Sequence, residues 1–161
     1  TGVSLQKDIL GMKDYGAEWA LDFTDTGVTT SSHDTAQASA RTLFAELAAQ
    51  GADVIVAETG DGIMGDYGVQ AVLADAELMG QAAAFLFCAN DPVGAAGGVQ
   101  ALRNTYGLTV DVLTGPATDN AVGVRFVEAN LGLPALNART HGPALGAFAL
   151  EKVQARVAVK A

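Results

Sequence analysis

Two acidic residues follow a short apolar run in the middle of the chain. The run Val54–Ala57 has no hydrophilic side, which is typical of a central parallel strand buried on both faces. Glu58 then falls at the carboxyl end of this predicted strand, and Asp61 falls in the turn after it. Ligands bind at this edge of open α/β sheets, so the pattern indicates half of a nucleotide–metal site.

Polar residues also surround these acids and follow the other predicted strands. Thr59 and Gly60 lie between the acids, and glycine lets the backbone approach a ligand closely, so both are predicted to contact a cofactor. Asp25 follows the first predicted strand, while Thr114 and Asn120 lie in the loop after the fourth. Because the carboxyl ends of parallel strands share one edge, we expect all these loops to converge. The three acids supply the hard oxygen ligands that suit Mg²⁺.

The size and charge of the chain limit the classes of function. We expect 161 residues to form one domain, and a core built from Ala, Val and Leu because only 6% of residues are aromatic. A net charge of −9 argues against nucleic-acid binding, which needs clustered Lys and Arg. No run of 18 apolar residues and no signal-peptide pattern appear, so neither a membrane span nor secretion is expected.

The single cysteine indicates a reducing compartment, and we expect a cytoplasmic protein. Cys88 is predicted to be a small buried hydrophobe, since cysteine thiols are among the most buried side chains and no neighbouring base would activate this one. His33 and His141 are predicted to lie in solvated loops or turns. Two histidines and one cysteine at these spacings do not indicate a zinc site.

Apolar runs alternate with amphipathic stretches along the whole chain. The predicted strands are 19–24, 54–57, 83–89, 108–113 and 136–138. The predicted helices are 6–15, 35–50, 69–81, one that begins at Pro92, 121–131 and 143–157. Asp34 and Asp91 are predicted N-caps, and Gly94, Gly97 and Gly98 indicate close packing of the fourth helix. This alternation predicts a three-layer α/β fold of the Rossmann-like kind, a mostly parallel sheet with helices on both faces.

The segment 53–62, with its acid and glycines after an apolar strand, resembles the corresponding segment of dethiobiotin synthetase and related bacterial P-loop proteins. Thr1-Gly2 and the segment 23–27 are similar to two further motifs of those proteins. The resemblance implies a P-loop NTPase-like fold that binds ATP and Mg²⁺. It implies that Glu58 and Asp25 lie near the metal and that the loop Thr114–Asn120 lies near the base.

The sequence departs from that family in one major respect. It contains no G-x-x-x-x-G-K-[ST] motif, so no lysine is present to hold the β- and γ-phosphates. Three interpretations stay open: the chain is a fragment of a longer P-loop domain, a partner supplies the missing part, or the resemblance is only architectural. A sheet without its central strand exposes unpaired backbone groups, so we expect a homo-oligomer.

Two classes of function follow from these observations. The first is the nucleotide- and Mg²⁺-binding remainder of an ATP-dependent ligase or kinase, inactive alone, in which the acids position a metal. The second is a non-catalytic α/β module that binds a small ligand or serves in assembly. No residue is assigned a catalytic role, and the substrate is not predicted.

Overall fold

The computed structural model describes Gly2 and residues 5–160, and the chain divides into two compact units. Unit 1 comprises residues 1–81 and unit 2 comprises residues 82–161. The single domain predicted from the length stays a prediction. Helices account for 55% of the structure.

Unit 1 is helical, and no regular β-strand appears in its described residues. It contains a 3₁₀ turn at Phe23–Thr26 and four helices: α1 (Gln6–Asp14), α2 (His33–Ala49), α3 (Val69–Leu73) and α4 (Ala76–Met79). The core between α2 and α3 includes Ala36, Val69 and Val72. Gly68 precedes α3 with a φ of 84°, and a Cβ there would overlap the Ser32 carbonyl. Glycine is therefore required where α3 approaches the start of α2.

The predicted strands of unit 1 are wrong. Residues 54–57 have an irregular conformation, and Val56 is 85% exposed. Four consecutive apolar residues carry no information about which neighbours cover them, so an exposed segment and a central strand look alike in sequence. Residues 19–22 are likewise irregular, and Phe23–Thr26 forms a 3₁₀ turn in place of a strand end.

Two helix boundaries in unit 1 also differ from the prediction. Helix α2 begins at His33 with Ser32 as its N-cap, and the backbone N–H of Ser32 donates to Oγ1 of Thr35 at 2.9 Å. The predicted cap Asp34 lies in the first turn and is exposed. The single helix predicted over 69–81 is divided, because the side chain of Asp75 caps a new helix, α4, at that point.

Unit 2 contains the only regular sheet among the described residues. Strands β1 (Leu86–Cys88) and β2 (Val112–Thr114) pair in parallel with Leu86 opposite Val112, and helix α5 (Pro92–Tyr106) connects them. A single parallel bridge joins Leu113 to Ala135. Of the three strands predicted in this half, 83–89 and 108–113 are confirmed in part, over the shorter ranges of β1 and β2, whereas 136–138 forms no strand and the pairing there is limited to the bridge at Ala135. The three-layer α/β fold is wrong, because the described residues form only a two-stranded sheet.

The remaining elements of unit 2 are helical. They are a 3₁₀ turn at Pro116–Thr118, α6 (Ala121–Phe126) with a π-helical extension at Val127–Leu131, and α7 (Gly142–Lys160). As the composition predicts, small residues fill much of the core, whose buried members are Ala89, Ala95, Leu113, Ala117, Val127 and Ala135.

The predicted start of α5 is confirmed. Oδ1 of Asp91 accepts a hydrogen bond from the Gly94 N–H at 2.8 Å, and Pro92 occupies the first helical position. Of the helix glycines, Gly98 is buried, and a Cβ there would overlap the Phe87 ring. A Cβ at Gly97 would meet no atom within 4 Å, so close packing explains Gly98 but not Gly97.

Candidate functional site

The predicted metal ligands lie in unit 1 but do not form a ready site. Oδ2 of Asp25 accepts the Asp22 N–H at 2.8 Å within the 3₁₀ turn, and Glu58 is exposed in the irregular segment. Thr59 and Gly60 are exposed beside Glu58. Across Gly2 and residues 5–160, no group of three or more His, Cys, Asp or Glu side chains is arranged to hold a metal ion.

Asp61 differs from the other two acids. Its Oδ2 atom is buried and has no hydrogen-bond partner. The carboxylate lies against Gly65, where a Cβ would overlap it, so the glycine provides the space. A buried carboxylate oxygen without a partner is costly, and a bound cation would satisfy it. Asp61 is therefore the one of the three predicted ligands with a buried carboxylate oxygen that lacks a hydrogen-bond partner, and Asp25 and Glu58 form no metal-holding group with it.

A shallow cavity of about 210 Å³ lies beside the start of α2. Four hydroxyl groups line it, those of Thr26, Thr35, Ser39 and Thr42. Each already has an internal partner: Thr26 bonds to Ser39 at 3.0 Å, Thr42 bonds to the Ala38 carbonyl at 2.9 Å, and Thr35 accepts the N–H of the helix cap. These hydroxyls therefore maintain the local fold of α2.

The carboxyl edge of the unit 2 sheet brings three chain segments together. The Ala117 N–H donates to the Ala89 carbonyl at 2.9 Å, which joins the segments that follow β2 and β1. The Ala138 N–H donates to Oγ1 of Thr114 at 3.1 Å, which adds the segment that follows the bridge at Ala135. The predicted convergence of loops at one sheet edge thus occurs within unit 2.

The two predicted ligand residues of this edge have structural contacts. Thr114 is buried, and its hydroxyl accepts the hydrogen bond from Ala138. Asn120 is the N-cap of α6, where Oδ1 accepts from the N–H groups of Val122 and Gly123, both at 3.0 Å. The side chains of Thr114 and Asn120 therefore position the backbone of this edge.

Asn137 holds this edge together. It is only 3% exposed, and the two hydrogens of its Nδ2 are shared among three acceptors: Oδ1 of Asp119 at 2.7 Å, Oγ1 of Thr118 at 3.2 Å and the Gly115 carbonyl at 3.3 Å. Its Oδ1 accepts the N–H groups of residues 139 and 140, at 2.9 and 3.3 Å. One buried amide therefore fixes both the loop 115–119 and the turn 137–140.

Asp119 is the exposed member of the network. Asn137 holds one carboxylate oxygen of Asp119, so the group is oriented before any ligand arrives. In the turn that begins at Asn137, Oγ1 of Thr140 and Nδ1 of His141 lie 2.9 Å apart in an exposed hydrogen bond. This edge can offer an oriented hydrogen-bond acceptor, beside polar groups, to a ligand with N–H donors.

Asn137 was not predicted to be a site residue, whereas Asp119 lies in the loop Thr114–Asn120, whose polar groups were predicted to lie at the ligand-binding edge. Asn137 directly follows a short apolar stretch that ends at Leu136. The same pattern predicted Glu58 as a ligand residue. Cys88, predicted to be buried, is exposed, because residues of a short strand at the side of a two-stranded sheet lack a second neighbour.

No known protein family, curated protein or solved structure matches the chain. None of the helices in the described residues is long and apolar enough to cross a membrane. The resemblance to P-loop proteins therefore rests on sequence motifs alone.

Proposed function

We propose that unit 2 binds a nucleotide at the carboxyl edge of its sheet, with the base against the loop 115–120 and the turn 137–141. The observation that carries the proposal is the buried amide of Asn137, which orients the exposed carboxylate of Asp119 at 2.7 Å. A carboxylate oriented in this way accepts hydrogen bonds from the N–H groups of a base. The parallel β–α–β arrangement around this edge favours the same location.

The proposal assigns binding to the chain and no catalysis. Mg²⁺ is the cofactor we propose, and Asp61 is the residue whose environment supports a cation. Asp61 belongs to unit 1, so the Mg²⁺ and nucleotide parts of the proposal are tested separately. We expect no ATP hydrolysis by the isolated chain, since the sequence contains no phosphate-loop lysine.

Binding is tested by calorimetric titration of the protein with ATP and with GTP, each with and without Mg²⁺. We expect Asp119→Asn to weaken binding about tenfold, because it replaces a charged acceptor by a neutral amide. Glu128→Gln, which changes an exposed carboxylate on the π-helical turn, is the matched control and should bind like the wild type. Absence of binding to either nucleotide, or equal affinity of the two variants, would contradict the proposal.

The Mg²⁺ part of the proposal is tested by thermal unfolding. Mg²⁺ is expected to raise the melting temperature of the wild type and not that of Asp61→Asn, because only the wild type has the unpartnered carboxylate oxygen. Asp66→Asn, an exposed acid of the same segment, should keep the full response. An unchanged wild-type melting temperature in Mg²⁺ would remove the metal from the proposal without affecting the nucleotide arm.

We also propose that the chain self-associates, which corresponds to the alternative function as an assembly module. Unit 1 exposes three large apolar side chains within one irregular segment, those of Val54, Val56 and Met64. Exposed apolar surface of this kind marks interaction sites. Light scattering should give a mass above the 16.3 kDa of one chain, and Val56→Asp should reduce it. A monomer mass for the wild type at high concentration would contradict the assembly proposal.

A further inference from the structure

Side chains of the protein already occupy helix N–H groups at the carboxyl edge of the unit 2 sheet. The N-cap Asp91 accepts the Gly94 N–H of α5 at 2.8 Å, and the first helical position is Pro92, which has no N–H. The N-cap Asn120 accepts two N–H groups of α6, both at 3.0 Å. The phosphates of nucleotides commonly bind at helix N-termini. These caps therefore reduce the number of backbone donors that a chain of phosphates could use at this edge.

The turn that begins at Asn137 has its backbone donors occupied as well. The N–H groups of residues 139 and 140 donate to Oδ1 of Asn137 at 2.9 and 3.3 Å. The N–H group of residue 141 donates to the Asn137 carbonyl at 2.7 Å. Successive N–H groups in a turn bind anions only when they are free to point at them. Any contact between this turn and a phosphate must therefore come from a side chain.

The charges at this edge also disfavour a long chain of phosphates. The three segments that meet there are 89–92, 114–120 and 136–141. They contain two exposed acids, Asp91 and Asp119, and their only Lys or Arg is Arg139. A triphosphate adds several negative charges close to the two carboxylates, and like charges at short range repel. One guanidinium group can balance one phosphate group but not three.

Arg139 belongs to the same hydrogen-bond network as Asp119. The Nδ2 end of the Asn137 amide donates to the Asp119 carboxylate, and the Oδ1 end accepts the Arg139 N–H. The Arg139 side chain is exposed, and no acid in the described part of the chain forms an ion pair with it. A guanidinium group binds phosphate through two parallel hydrogen bonds. The edge therefore offers one oriented acceptor and one available cation.

We propose that the ligand of this edge is a nucleoside monophosphate rather than a triphosphate, with its base on Asp119 and its phosphate on Arg139. This inference rests on the proposed nucleotide site and adds the length of the phosphate chain and the residue that binds it. The capped N–H groups leave Arg139 as the main phosphate contact, which suits a single phosphate group. ATP has the same base and sugar as AMP and still binds, but its two further phosphates gain no partner.

Calorimetry of the wild type compares adenosine, AMP and ATP, and then guanosine, GMP and GTP, all without Mg²⁺. For the base that binds, the monophosphate should bind at least about tenfold more tightly than the nucleoside, because the contact with Arg139 is charge-assisted. The triphosphate should bind no more tightly than the monophosphate. A triphosphate that binds more tightly than the monophosphate would overturn this inference and leave the nucleotide site itself supported.

Two substitutions of arginine test the phosphate contact. Arg139→Gln should weaken binding of the monophosphate at least about tenfold and leave binding of the nucleoside unchanged. Arg103→Gln should bind both ligands like the wild type. Arg103 is the matched control because it is an exposed cation in the last turn of α5, a helix that begins at the carboxyl edge and runs away from it. Circular dichroism shows whether each variant is folded.

A third variant tests the repulsion. Asp91→Asn keeps a side chain that caps helices and removes a carboxylate, so it should raise the affinity for the triphosphate more than that for the monophosphate. Wild-type affinity of Arg139→Gln for the monophosphate would overturn the inference, whereas the comparison of Asp119→Asn with the wild type would still test the base contact. If no nucleoside or nucleotide binds to the wild type, the nucleotide site and this inference are both contradicted.

Discussion

The guanidinium group of Arg41 forms two hydrogen bonds with the carboxylate of Asp75, from Nε to Oδ2 at 2.7 Å and from Nη2 to Oδ1 at 2.8 Å. Asp75 is buried, accepts a further bond from Gln37 and caps α4 through the N–H groups of Glu77 and Leu78. One carboxylate thus joins α2 to the start of α4. The hydrogen bonds from Arg41 and then Gln37 hold the pKa of Asp75 well below its ordinary value.

This shift predicts a pH dependence of stability. Because the folded pKa of Asp75 is lowered, its contribution is fully present well above the ordinary carboxyl pKa of about 3.9 and is lost as the pH falls below that value. Asp75→Asn should therefore lower the melting temperature at pH 7, and its difference from the wild type should narrow in acid. Asp53→Asn, an exposed acid of unit 1, should match the wild type throughout. A difference that is independent of pH would contradict the prediction.

Two adjacent glycines of α5 should respond differently to alanine. Gly97→Ala is expected to raise the free energy of unfolding by about 0.5–1 kcal/mol, since alanine favours the helix and meets no atom within 4 Å. Gly98→Ala places a methyl group against the Phe87 ring, so its free energy of unfolding should be at least about 1 kcal/mol below that of Gly97→Ala. Urea unfolding measures both, and equal values would show that Phe87 moves aside freely.

A pair of valines tests the corrected fold. Val112 is fully buried in β2, and Val112→Ala should cost about 2 kcal/mol or more of unfolding free energy. Val56 is mostly exposed, and Val56→Ala should change that free energy by no more than about 0.5 kcal/mol. If urea unfolding at a concentration where the chain is a monomer gave similar large losses for both variants, residues 54–57 would be buried within the monomer.

Truncation of Asn137 should affect both stability and binding. Asn137→Ala leaves Asp119 without its orienting donor and two backbone N–H groups without an acceptor, at a cost of about 1–3 kcal/mol. The nucleotide affinity of Asn137→Ala should also be lower than that of the wild type. Asn130→Ala removes an exposed amide with one backbone contact and is the control for unfolding and for calorimetry. A stable Asn137→Ala variant with wild-type affinity would exclude the proposed role of the network.

Several elements could be predicted from the sequence because their signals are local. The start of α5 depends on Asp91 and Pro92, which are neighbours in the chain, and α2 follows from apolar spacing within one segment. The strands β1 and β2 were also predicted from short apolar runs, although the same signal was wrong at residues 54–57. The helix cap at Asp75 was not predicted, although its hydrogen bonds from the Glu77 and Leu78 N–H groups are local. The pairing of Asp75 with Arg41 is the long-range contact that the sequence does not reveal.

The sequence by itself determined the helices whose caps and apolar faces lie within one segment, the small-residue core and the connection of β1 to β2 through α5. Only the tertiary structure decided that Val54–Ala57 is exposed and that Asn137 joins two loops through hydrogen bonds to residues about twenty positions away. The physical reason is the range of the interactions. Caps and helical periodicity act over a few residues, whereas burial and side-chain hydrogen bonds depend on segments that only the folded chain brings together.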